Sequence, residues 1–196
     1  RTACLPNSYQ PNDRKRLISD RKFTRQELGL PKDGFVFCCF NNNYKILPAT
    51  FDGWMRILKA VEGSVLWLFQ DNSWAAENLK KEAEKRGIES DRLVFAERLT
   101  LSEHLARHCH ADLFLDTFPY NAHTTASDAL WAGLPILTLM GRTFSSRVAA
   151  SLLNAIGLPE LIANTQAEYE ALAIELANNP QKLANIKLNL ANNRLT

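Results

Sequence analysis

The chain has 196 residues, 46% of them hydrophobic and 22% charged, with a formal net charge of +2. That length suffices for one sizeable domain with a real core, and the composition excludes a disordered or fibrous protein. The charge is too balanced to call for nucleic acid or an acidic membrane surface, and no apolar run is long enough to span a bilayer.

The chain opens on Arg1 with no signal-peptide pattern, as expected of a piece cut from a longer protein. Residues 1–34 are rich in turn formers and charge, as in "LPNSYQPNDRKR", and read as a connector from a preceding lobe. Within them "TRQELGL" predicts a short capped helix starting at Thr24. "FVFCCF" (35–40) is a dense apolar run without alternation, the pattern of a parallel strand covered on both faces. A helix is predicted from Pro48 to Val61, with Phe51, Trp54, Ile57, Leu58 and Val61 at 3/4 spacing. "SVLWLF" is a second strand, followed by a charged helix from Ser73 to Arg86 that Gly87 closes.

The pattern then repeats. Strands are predicted at 93–95, 112–116 and 134–139, and helices over Leu101–Cys109, Thr124–Ala132 and Ser145–Ile156. Two more helices, Gln166–Asn178 and Pro180–Leu190, complete the chain. Strand alternating with helix predicts one Rossmann-like domain over 35–196, a parallel sheet wound on both sides. The four cysteines, Cys4, Cys38, Cys39 and Cys109, show no CxxC or Cys/His metal spacing and read as buried free thiols in a reducing compartment, the cytoplasm.

Such a sheet binds ligands at the carboxyl ends of its strands, and three loops there carry unusual residues. "NNNYK" (41–45) follows the first strand; it is either a polar turn or a place where Asn42 and Lys45 meet a phosphate oxygen. "YNAHTTASDALWAG" (120–133) sits where a strand hands over to a helix start. Thr124 and Thr125 add hydroxyls beside the free N–H groups there, His123 adds a donor and a charge if protonated, and Asp128 is placed to bridge ribose hydroxyls. Plain N-capping by either threonine is the simpler alternative for any one of these residues. In "RLTLSEHLARH" (98–108) Ser102 reads as an N-cap, and His104 and Arg107 share one face, either solvated or packed on a base. No GxGxxG follows the first strand and no Walker A sequence occurs, which argues against NAD-type dehydrogenases and P-loop NTPases.

The motifs "FNNNYKI", "SVLWLF", "EHLAR", "LDTFPYNAHTTASDALWAGLP" and "SRVAASLL" resemble the C-terminal lobe of the protein O-GlcNAc transferases, including bacterial members with tetratricopeptide repeats. The likeness covers about residues 35–175; SPINDLY-type fucosyltransferases are more distant relatives of the same architecture. It implies a GT-B enzyme with two Rossmann-like lobes, the second of which holds UDP-N-acetylglucosamine. It implies an inverting, metal-independent transfer of the sugar to a Ser or Thr hydroxyl of an acceptor protein, with no cofactor. Phosphate ligands then fall on Asn42, Lys45, His123, Thr124 and Thr125, the ribose ligand on Asp128, and base-side positions on His104 and Arg107. Lys45 would stabilise the leaving diphosphate.

Two residues depart from the family pattern. Leu101 stands where a lysine is common near the ribose, and Tyr120 where animal members have a small cysteine lining the N-acyl pocket. The second leaves the sugar open: another UDP-hexose or GDP-fucose is the alternative donor, and a degenerate, non-catalytic binding lobe is the alternative role. The remaining active-site groups, part of the acceptor site and the repeats belong to the missing N-terminal lobe, so these residues alone are expected to be nearly inactive.

Overall fold

The dense apolar runs form strands buried on both faces, and the 3/4-spaced segments form the helices that cover them. The computed structural model describes residues 8–9 and 12–194. Six strands are named in chain order: β1 Val36–Cys39, β2 Val65–Phe69, β3 Leu93–Ala96, β4 Leu113–Leu115, β5 Ile136–Leu139 and β6 Ile162–Ala163. All pair in parallel, in the order β3-β2-β1-β4-β5-β6.

The helices are α1 Pro48–Ala60, α2 Ser73–Lys85, α3 Leu101–Arg107, α4 Thr124–Trp131, α5 Val148–Ala155, α6 Gln166–Asn178 and α7 Pro180–Asn193. Strand order reverses at β1: β1 to β2 winds one way, and β4 to β5 winds the other. With right-handed crossovers, α1 and α2 then cover one face while α3, α4 and α5 cover the other. The packing agrees, since α3 meets α4, α4 meets α5, and α6 returns to pack on α1. Between β1 and β4 the loops diverge and leave a crevice at the carboxyl edge. The expected Rossmann-like architecture is present.

The core is aromatic at its centre. Trp54, Trp67, Phe37 and Phe114 are fully buried around β1 and its neighbours. Gly87, at φ +75, closes α2 as expected of a C′ glycine.

Several local expectations are corrected. "TRQELGL" makes a single hydrogen-bonded turn, not a helix: Thr24 and Glu27 exchange capping bonds, but Gly29 at φ +69 ends the turn at once. Thr100, not Ser102, caps α3, accepting from the Glu103 N–H. The helix predicted from Ser145 begins as a 3-10 turn, Phe144–Ser146, before α5. The short β6 is missing from the sequence reading because two residues carry no periodicity. Cys38 and Cys39 are buried free thiols, but Cys109 is exposed, and Cys4 lies outside the described residues.

Among the described residues, no helix is long and apolar enough to cross a membrane. The stretch over 12–34 lies against the lobe, with Phe23 and Leu30 buried.

Candidate active site

Asp116 organises the crevice. It is the first residue past β4, an acid ending an apolar run, and it is buried. Its carboxylate accepts from the Thr138 hydroxyl at 2.6 Å, from the N–H groups of Ala122 at 2.6 Å and Thr117 at 2.8 Å, and from the Asn41 amide at 3.4 Å. Burial pushes this carboxyl up to about 7, against the pull of those donors and of Lys45. The bonds gather residues 117–122, which include the cis peptide Phe118–Pro119, into a bend ahead of α4.

Asn41 ties that turn to the loop after β1. Its amide nitrogen donates to Thr117 Oγ1 at 2.8 Å, and its amide oxygen accepts a hydrogen bond from the Thr125 hydroxyl. Beyond it, Asn43–Lys45 form a 3-10 turn that carries Lys45 across the crevice. Lys45 Nζ donates to the Asn121 carbonyl at 3.0 Å and sits 3.9 Å from the centre of the Tyr120 ring. Burial lowers its pKa, while Asp116 and Cys39 oppose that fall. The half-buried ammonium therefore stands at the mouth with one protein acceptor and donors to spare.

The start of α4 faces the same mouth. His123 is its N-cap residue, yet no side chain caps the helix, so both threonines lack the capping role. Thr124 is exposed, and Thr125 is committed to Asn41. The uncapped N–H groups carry about half a positive charge. Burial lowers the His123 pKa from the ordinary value, and its Nδ1 is 2.8 Å from the Tyr9 hydroxyl. Asp128, one turn along, is paired with Arg16.

Across the crevice α3 brings His104 and Arg107 together, with Arg107 Nη2 2.7 Å from His104 Nδ1. Guanidinium nitrogens only donate, so His104 accepts at Nδ1 and holds its proton on Nε2. Burial depresses the His104 pKa to about 3, helped by His108 and Arg107, so it is neutral. Arg107 is not on a solvated face. It is 1% exposed, donates to the Glu97 carbonyl at 2.6 Å and lies over Phe40 and Trp67. Its guanidinium therefore anchors the loop after β3. Leu101, exposed at the start of α3, offers no donor.

The model of glycosyl transferase family 41 matches residues 15–196. The chain belongs to glycosyl transferase family 41. Among relatives, this family 41 chain is 42% identical over 164 residues to the UDP-N-acetylglucosamine–peptide N-acetylglucosaminyltransferase of Caenorhabditis elegans, covering 84% of this chain and 14% of that protein. It is 39% identical over 198 residues to the probable UDP-N-acetylglucosamine–peptide N-acetylglucosaminyltransferase SEC of Arabidopsis thaliana, covering 98% of this chain and 20% of that protein. A solved Thermobaculum terrenum O-GlcNAc transferase mutant superposes with a TM-score of 0.85 at 31% identity, covering 97% of this chain and 36% of that one. The family 41 chain thus spans a fifth or less of the length of the two relatives, and its fold is that of a GT-B lobe.

The residues picked from the sequence divide into groups. Lys45, Tyr120, His123, Thr124 and Thr125 converge on the β1–β4 crevice, Asn42 is exposed at its edge, and Asp128 lies farther along α4. His104 and Arg107 sit together on α3. Asn41, Asp116, Thr117 and Thr138 were missed. The one signal for them was the acid closing the run "LFLD"; the partners come from loops far apart in sequence.

Proposed function

We propose that this family 41 chain is the donor-binding lobe of an inverting glycosyltransferase that moves N-acetylglucosamine from UDP-N-acetylglucosamine to Ser or Thr hydroxyls of an acceptor protein. The observation that carries this reading is the convergence of Lys45 Nζ and the uncapped α4 start on one crevice at the switch point of the sheet. Inversion requires the acceptor hydroxyl to attack the anomeric carbon opposite the diphosphate, whose negative charge grows as its bond to the sugar breaks. A fixed ammonium and a helix N-terminus already aimed at that charge lower the barrier without reorganising. They supply positive potential from the chain itself, which supports a metal-independent design. Lys45 is assigned to the leaving diphosphate, Asn42, His123, Thr124 and Thr125 to its oxygens, Asp128 to the ribose, and His104 and Arg107 to the base side.

Exposed Tyr44, Leu47, Trp74, Leu101, Tyr120 and Phe144 all stand on loops or helix starts following β1 to β5. An apolar rim there supports a second lobe closing over this edge, as the GT-B arrangement demands. That lobe, with the tetratricopeptide repeats, would bring the general base and the acceptor, and the lobe alone would be nearly inactive. Buried free thiols at Cys38 and Cys39 favour a reducing compartment, the cytoplasm.

Tyr120 favours a second reading of the sugar, since a large ring stands where the animal enzymes have a small residue. The test is a transfer assay on the full-length protein with labelled UDP-N-acetylglucosamine, other UDP-hexoses and GDP-fucose, beside thermal shifts with UDP and GDP. Transfer from UDP-N-acetylglucosamine and a larger shift with UDP are expected; a larger shift with GDP, with fucose transfer, would overturn the donor assignment.

A further inference from the structure

The stretch ahead of the sheet crosses the exposed side of α4. Asn12 Oδ1 accepts from the Ser127 hydroxyl, and the Trp131 indole N–H donates to the Arg16 carbonyl at 3.2 Å. Those two bonds, one turn of α4 apart, hold the Asn12 side chain and the Arg16 carbonyl against the helix. The Arg16 guanidinium is then used along its whole edge. Nε donates to the Asp13 carbonyl at 3.3 Å, Nη2 to Ser127 Oγ at 3.3 Å, and Nη1 to Asp128 Oδ1.

We infer that Arg16 is a positioning residue of the nucleotide site: it locks the Asp128 carboxylate through Oδ1 and leaves Oδ2 to accept from a ribose hydroxyl. This rests on the proposed function, which assigns Asp128 to the ribose. An aspartate on a helix surface turns about two side-chain bonds, and a ligand must freeze both of them. A planar guanidinium held at three edges freezes them beforehand. The pair is also shielded, its side chains only 16% and 14% exposed. Burial alone raises the Asp128 pKa, and Arg16 is the group that opposes the rise.

The test uses the full-length protein and calorimetric titration with UDP and with 2′,3′-dideoxy-UDP, which lacks the ribose hydroxyls. The parent should prefer UDP by about tenfold or more, because an acceptor left without its hydroxyl is costly. Arg16→Met should weaken UDP by about tenfold while dideoxy-UDP moves less than about twofold, so that the preference collapses. Arg16→Lys, which keeps the charge but not the fork, should fall between them, and thermal melts of the unliganded variants register any loss of fold. Equal losses for the two nucleotides would overturn the inference, since a merely structural arginine does not sense the ribose. So would an unchanged preference in Arg16→Met beside a lost one in Asp128→Asn, which leaves the proposed function standing. A parent that binds no UDP removes that function and the inference with it.

Discussion

The two halves of the crevice are built differently. On the β4–α4 side, Asp116, Asn41, Thr117, Thr125 and Thr138 form one hydrogen-bonded cluster drawn from two loops, the start of α4 and strand β5. Its outlets are a half-buried ammonium and a helix start. On the α3 side, His104 and Arg107 come from one turn of one helix, and both turn inward under the loop after β3. The first half leaves an ammonium and a helix start at the mouth, and the second turns a guanidinium and a neutral imidazole inward. On the proposed function, phosphate recognition would draw on several elements of the fold at once, whereas the base-side wall would rest on a single helix.

The largest effect is expected where charge is presented. In the full-length enzyme Lys45→Ala should lower turnover at least about a hundredfold, because one lost transition-state contact costs roughly 2.7 to 4 kcal/mol. Circular dichroism should show the fold intact. Unchanged turnover at saturating donor would erase the proposed contrast between the halves.

The α3 side should instead reveal itself through acid stability. Burial depresses His108 to about 4 and His104 to about 3, well below the ordinary histidine value of 6.5. Both fold in the neutral form, so their contribution is fully present above pH 6.5 and is lost as pH falls from there toward 4. For His108 that window is worth about 3 kcal/mol. Urea unfolding of parent and His108→Gln across pH 7.5 to 4 should give the shallower slope in the variant. Equal slopes would show that this imidazole is not held neutral by burial.

Next come the two threonines, which the structure separates. Thr124→Val removes a hydroxyl exposed at the α4 start and should weaken UDP by about tenfold while sparing uridine. Thr125→Val breaks the bond to Asn41, so it should also lower the melting temperature. Identical behaviour of the pair would mean that the cluster and the ligand contacts are not distinct.

The smallest effect concerns the rim. If the Tyr120 ring, resting on Lys45, also borders the N-acyl group, Tyr120→Ala should admit N-butanoyl donors that the parent handles poorly. One methylene is worth only about 1 to 3 kcal/mol in a tight pocket, so the gain should be partial. A ratio of kcat/KM for long and short acyl donors that does not move would place the ring away from the sugar.

Much of this was legible in the sequence, for a physical reason. Buried parallel strands are continuous apolar runs and their helices have a 3.6-residue period, so the alternation of β1 to β5 with helices could be read directly. Lys45 and the His123–Asp128 stretch could be found because strand ends and helix starts are where a doubly wound sheet binds ligands. The links between loops were not legible. Nothing local says that Asn41 meets Thr125, that Asp116 gathers the turn, or that Arg16 reaches Asp128 from 112 residues away. Arg107 looked like a surface charge because its spacing is that of a helix face, and only packing shows it turned onto Phe40.

On the proposed function, the β1–β4 crevice holds the diphosphate of a nucleotide sugar. A crystal structure of the full-length protein with UDP tests it most directly. Phosphate oxygens are expected within hydrogen-bonding distance of Lys45 Nζ and the first N–H groups of α4, with the ribose against Asp128. A diphosphate bound elsewhere, with Lys45 still on Asn121 and the start of α4 empty, would contradict it.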